Sequence, residues 1–156
     1  EAREHLSVVD IASNQLRYNM LQREIEEEVL PYCRKENITV LAWSPLAQGA
    51  LTGKYGLKRR PSDDIRRDNK LFSDANISQV EKLVLVLEEI AKERGKSVGQ
   101  VALNWLLRNG GVIPIPGAKN ELQAQENAGA SGWSLTDDEL KKIERTHSSL
   151  KLTYYP

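Results

Sequence analysis

Three short, nearly unbroken aliphatic segments punctuate this chain and leave few folds open to it: Ser7 to Ala12, Ile38 to Trp43 and Gly111 to Ile115. A strand with one wet face alternates apolar and polar residues. Parallel strands covered on both faces are apolar almost throughout. Strands of that kind alternating with helical patterns predict right-handed βαβ units and a parallel sheet. The expected class is α/β.

The intervening patterns are helical. Val80, Leu83, Val84, Leu87, Ile90 and Ala91 keep the three-four spacing of one buried stripe, and Gly95 is placed to end that helix. Ser97 and Gln100 form a capping box for the next helix, whose buried stripe would be Val98, Val101, Ala102, Trp105 and Leu106. Asn109-Gly110-Gly111 turns the chain into the third segment. Thr136 and Glu139 open a last, charged helix. Earlier, Ile25, Val29, Tyr32 and Cys33 share a face, and Pro31 fits best near a helix start. The gap between the second and third segments is long. It holds a basic loop from about Lys54 to Asn76 as well as two helices, and loops of that size are usually functional or mobile.

Length sets a second bound. An eight-stranded barrel needs about 250 residues, whereas three strands in 156 residues make an unfinished sheet. The chain also begins at Glu1 rather than Met. Together these predict a single partial domain over residues 1–156, the last three strands of a (β/α)8 barrel with their helices. Such a half-barrel would expose two unpaired edge strands and an apolar sheet face, so it is expected to self-associate. Lys plus Arg number 22, as do Asp plus Glu, and this balance calls for neither nucleic acid nor an anionic membrane as partner. No apolar run approaches the ~18–20 residues of a membrane span. The single cysteine, Cys33, suits a reducing cytoplasm, the expected location, and leaves a plastid stroma open.

Polar and aromatic residues gather where each predicted strand ends: Gln15 after the first, Trp43 and Ser44 at the second, Lys119 after the third. Ligands of parallel α/β proteins bind at the carboxyl ends of strands. Gly49 and Gly53 let backbone approach a phosphate closely. From residue 54 to 70, seven bases (Lys54, Lys58, Arg59, Arg60, Arg66, Arg67, Lys70) meet three acids (Asp63, Asp64, Asp68), an excess of four. That excess suits a polyanion such as a dinucleotide, although a solvated basic loop has the same composition. Ile115-Pro116-Gly117-Ala118-Lys119 leads into a helix beginning near Asn120, whose free N–H groups and dipole favour an anion. Gln123, Glu126 and Asn127 then lie one turn on, sharing a face.

The strings S-N-Q at 13–15, A-W-S-P-L-A-Q-G-A-L-T-G-K-Y at 42–55 and I-P-G-A-K-N-E-L-Q-A-Q-E-N at 115–127 resemble the C-terminal half of the aldo-keto reductase family, and more closely its branch that includes the potassium-channel β-subunits. The match runs from about Val9 to Ile143. The resemblance implies NADP(H) as cofactor and hydride transfer to a small aldehyde or ketone. Gln15 would hydrogen-bond the nicotinamide carboxamide and Trp43 would stack on its ring. Ser44, Pro45, Leu46, Ala47 and Gly49 would line the pyrophosphate, with Lys54 and Arg66 closing over it. Gly117 and Lys119 would hold the 2′-phosphate, and Gln123, Glu126 and Asn127 the adenosine end.

The family's catalytic Tyr, Lys, Asp and His or Asn would precede positions equivalent to Glu1, so no catalytic residue is assigned and the chain alone is expected to be inactive. No substitute set can be assembled from the rest. His5 and His147 read as surface residues and Cys33 as core. Tyr18 lacks a neighbouring Lys or Asp to lower its pKa from about 10, and Tyr154 and Tyr155 belong to a tail. The competing reading is an NADP(H)-sensing regulatory subunit without turnover. A different barrel enzyme with a shared phosphate site is a third.

Overall fold

The computed structural model describes residues 9–153. They form a three-stranded parallel sheet in the order β1-β2-β3, with β1 at Ser13–Arg17, β2 at Thr39–Trp43 and β3 at Val112–Pro114. The helices are α1 (Val29–Lys35), α2 (Asp64–Arg67), α3 (Asp74–Arg94), α4 (Val98–Leu107), α5 (Glu121–Ala128) and α6 (Asp137–Ser148). Short 3₁₀ turns cover Glu24–Glu26, Ala47–Thr52 and Lys70–Phe72.

The first strand departs from the sequence expectation. Ser7 and Val8 lie outside the described residues, Val9 to Ala12 are not strand, and pairing begins with the Thr39 N–H on the Ala12 carbonyl at 3.0 Å. The strand that does form is Ser13-Asn14-Gln15-Leu16-Arg17, in register from Ser13 opposite Thr39 to Arg17 opposite Trp43. Gln15 therefore sits inside β1 rather than after it. A polar segment serves because β1 is an edge strand among the described residues and two of its residues, Ser13 and Gln15, face the open side of the sheet.

The expectation of cover on both faces is also corrected. Val40, Ala42 and Val112 are buried against helices. On the other face, Ile113, Trp43 and Ile115 keep 51%, 41% and 39% of their surface exposed. Alternation along β2 and β3 is thus real but hidden in the sequence, because both faces carry apolar side chains.

The buried core follows the helical stripes. Ile77, Val80, Leu83, Leu87 and Ile90 of α3 meet Val101, Ala102, Trp105 and Leu106 of α4. Ser73 caps α3 by accepting the Asn76 N–H, and Gly95 ends it in the left-handed conformation, φ 60°. Both expected capping boxes are present, Ser97 with Gln100 and Thr136 with Glu139. Pro31 stands third in α1, where its missing N–H has no helical partner to lose.

Polar groups inside this core are all matched. Tyr18 is fully buried, its hydroxyl donating to Glu26 Oε1 at 2.6 Å and accepting from Asn109 Nδ2 at 3.0 Å. Burial, then the Glu26 carboxylate, pushes its pKa well above the usual tyrosine range, and its hydroxyl is taken up by these two partners inside the core. Arg23 bridges Glu26 and Glu144, each at 2.8 Å, and lies 3.3 Å from His147 Nδ1. His147 is thus half-buried rather than a surface residue, and burial, reinforced by Arg23, lowers its pKa. Cys33 is core, as expected, and burial raises its thiol pKa. His5, Tyr154 and Tyr155 lie outside the described residues.

Candidate functional site

The turn after β2 holds the densest run of left-handed backbone among the described residues. Ser44, Ala47 and Gln48 have φ of 51°, 48° and 55°, a region costly for residues with a Cβ, and Gly49 follows at 95°. Such strain persists only where surrounding contacts over-determine it. Asn19 Nδ2 donates to the Ser44 carbonyl at 3.0 Å, Arg66 Nε to the Gln48 carbonyl at 2.8 Å, and the Thr52 hydroxyl to the Gly49 carbonyl at 2.7 Å. A Cβ at Gly49 would stand 3.1 Å from the Tyr55 ring in addition to its unfavourable φ.

This turn forms one wall of a cleft of about 460 Å³ at the carboxyl ends of β2 and β3. Ser44, Pro45, Leu46 and Gly49 line it from β2, Lys54 and Arg66 from the basic loop, and Gly117, Lys119 and Gln123 from the β3–α5 side. The fold brings these nine sequence candidates to one cleft. Ala47 and Trp43 instead border a smaller adjoining cleft of about 240 Å³. Gln15 is exposed on the open sheet face, opposite Leu41 in register. Glu126 and Asn127 stand off the cleft wall, although Asn127 Nδ2 donates to the Gly117 carbonyl at 3.4 Å and so steadies the loop.

The cleft is electropositive. Three cationic side chains and no carboxylate line it. Arg66 is paired with Asp63 at 2.7 Å and its guanidinium lies 5.8 Å from the Tyr55 ring centroid, while Lys54 Nζ lies 5.3 Å from the same ring. Lys119 has no ion pair among the described residues. Elsewhere in the loop, Arg60 is bonded to Asp74 and Arg67 to Asp64, and Lys58 and Arg59 border a separate cleft.

The β3–α5 loop is preorganised. Asn120 caps α5 by accepting the Gln123 N–H, and Gln123 Oε1 accepts the Lys119 N–H at 2.7 Å. The N–H groups of Gly117 and Ala118 have no partner among the described residues, which leaves them available to an anion. The far end of α5 is anchored to α4: Gln100 Nε2 donates to the Glu126 carbonyl at 2.9 Å.

Five further lining residues were not singled out as site residues from the sequence: Gln48, Thr52, Tyr55, Pro116 and Ala118. Gln48, Thr52 and Tyr55 lie within the 42–55 string, which was the available signal. The left-handed conformation of Gln48 has no sequence mark.

A parallel sheet with a strained turn and a basic, acid-free cleft at its carboxyl end defines an α/β protein. Residues 1–147 match the model of the Aldo/keto reductase family, and the chain belongs to that family. It is 37% identical to the chloroplastic pyridoxal reductase of Arabidopsis thaliana over 87% of its length, covering 36% of that protein. Its structure is similar to that of a glycerol dehydrogenase from Gluconobacter oxydans, with a TM-score of 0.90 and 33% identity over 99% of this chain and 48% of that one. It is also similar to an aldo/keto reductase from Klebsiella pneumoniae solved with NADP and acetate, with a TM-score of 0.63 and 29% identity over 87% of this chain and 39% of that one. The chain therefore spans between about a third and a half of the proteins it matches.

Proposed function

We propose that this chain is the NADP(H)-gripping C-terminal half of an aldo-keto reductase barrel, whose intact form reduces small aldehydes or ketones. The observation that carries the reading is the acid-free cleft in which Lys54, Arg66 and Lys119 surround the strained Ser44–Gly49 turn. Residues fit the cofactor's chemistry along its length. Lys119 and the Gly117 loop suit a 2′-phosphate, the turn suits a pyrophosphate, and the exposed indole of Trp43 offers a flat apolar surface to a nicotinamide. The bound cofactor supplies the hydride; the chain orients it, excludes one ring face and neutralises its phosphates. Gln15 on the open sheet face would meet the carboxamide, and Glu126 and Asn127 the adenosine. The acid that protonates the carbonyl oxygen is assigned to no residue here. Cytoplasm or a plastid stroma is the compartment this reading favours; no helix among the described residues is long and apolar enough to cross a membrane.

The test is a fluorescence titration of the purified chain with NADP⁺ and NAD⁺. Saturable quenching, tighter with NADP⁺ and lost on Trp43→Ala, is expected. A folded sample that shows no quenching with either nucleotide would remove the cofactor reading for this chain.

The same reading predicts self-association. Both β1 and β3 are edges among the described residues, and the sheet face bearing Trp43, Ile113 and Ile115 is open. Burying that face and pairing those edges favours a second copy. Sedimentation of the chain is expected to give a dimer or larger species; a compact monomer at tens of micromolar would contradict it.

A further inference from the structure

The small cleft beside Trp43 has a chemistry of its own. Arg17 ends β1 directly opposite Trp43 in register, and its guanidinium carbon lies 5.7 Å from the indole ring centroid. Both residues border the 240 Å³ cleft together with Gln22, Gln48 and Asn69, and no carboxylate lines it. Arg17 has no ion pair among the described residues.

The two glutamines are oriented by asparagines. Gln22 Oε1 accepts from Asn19 Nδ2 at 2.9 Å, and Gln48 Oε1 accepts from Asn69 Nδ2 at 3.0 Å. Each amide oxygen is therefore engaged, and each Nε2 donor has no partner among the described residues. One full positive charge, two amide donors and no competing acid make a cleft complementary to a carboxylate.

We propose that this cleft is a carboxylate subsite, so that the carbonyl compound handled beside Trp43 is a small oxo acid held through Arg17. The inference rests on the reading of Trp43 as the nicotinamide-stacking residue, and it names the substrate class for that site. Arg17 is a binding residue here, with no part in proton or hydride transfer. The cleft's volume suits a small acid. A cofactor phosphate has related chemistry, and Ser44 and Gln48 border both clefts, so a test must separate the two sources.

The experiment is calorimetric titration of the chain, free and saturated with NADP⁺, with phenylglyoxylate and with its neutral methyl ester. The acid is expected to bind about tenfold or more tighter than the ester in both conditions, as charge-assisted hydrogen bonds imply. Arg17→Gln should bring the ratio to about twofold or less, whereas Arg17→Lys should retain most of it. Equal affinities for acid and ester overturn the proposal. So does an Arg17→Gln chain that keeps both its thermal midpoint and its preference for the acid. If the Gln variant fails to fold, the Lys variant and the acid–ester ratio in the unmodified chain still decide. Loss of acid binding on NADP⁺ saturation would give the anion site to the cofactor and overturn the substrate assignment. Failure of NADP⁺ itself to bind would instead overturn the cofactor reading, and the free-chain ratio would then decide the carboxylate question.

Discussion

Replacing Asn104 by Ala is expected to cost about 3–4 kcal/mol of stability, far above the usual cost of a point substitution. Asn104 is 3% exposed on α4. Its Nδ2 donates to the Ala130 and Trp133 carbonyls, each at 2.9 Å, and its Oδ1 accepts the Leu135 N–H at 3.2 Å. Truncation leaves two carbonyls and one amide without partners in a region from which water is largely excluded. An unmatched buried group costs about 1–3 kcal/mol, and partial relaxation keeps the total below the simple sum. The same three bonds fix the segment joining α5 to α6, so the loss should loosen the helix that presents Lys119 and Gln123 to the cleft. The check is urea unfolding. The midpoint should fall by about 2 M at an unchanged slope, since slopes for small proteins are about 1–3 kcal/mol per M. Leu85→Ala, on the exposed face of α3 at 59% exposure, should change the stability by less than about 0.5 kcal/mol. Equal shifts for the two variants would show that the Asn104 bonds contribute little.

Much of the scaffold was legible in the sequence, and for identifiable reasons. α3 carries its stripe over about four turns between a Ser cap and a terminal Gly, and both capping boxes sit where residue type and spacing place them. The illegible part was β1. Its position is set by pairing with Thr39–Trp43 rather than by its own composition, and the more aliphatic residues just before it drew the expectation upstream. The exposed sheet face was hidden for a related reason. Leu41, Trp43 and Ile113 are apolar whether or not something covers them.

The site divides in the same way. Residues drawn from the turn after β2 and the loop after β3 could be found because glycines, a proline and cations cluster there. Their convergence could not be read without the fold: Arg66 and Lys119 are 53 positions apart, yet both line one cleft. Arg17 was missed because a lone strand arginine has no pattern around it. It gains meaning only from the register that sets it opposite Trp43.

Lys119→Ala is expected to lower the ratio of NADP⁺ to NAD⁺ affinity by about tenfold to a hundredfold, while changing NAD⁺ binding by less than about threefold. The two nucleotides differ by one phosphate on the adenosine ribose, so only a group that meets that phosphate can change the ratio. Among the cleft's three cations, Arg66 is already tied to Asp63 and to the Gln48 carbonyl, and Lys54 lies against Tyr55. Neither Lys54 nor Lys119 has an ion pair among the described residues, but Lys119 stands at the mouth of a helix whose cap is complete and whose preceding amides are free. Lys119→Arg should keep the preference, since charge and donors survive, and Lys119→Glu should reverse it by repulsion. The measurement is the pair of dissociation constants for each variant at two salt concentrations. The NADP⁺ preference of the unmodified chain should shrink as salt rises, because Lys119 is exposed and its charge is screened. A ratio that stays fixed across Ala, Arg and Glu would move the 2′-phosphate away from this loop. With it would go the assignment of the α5 end of the cleft to the adenosine half of the cofactor.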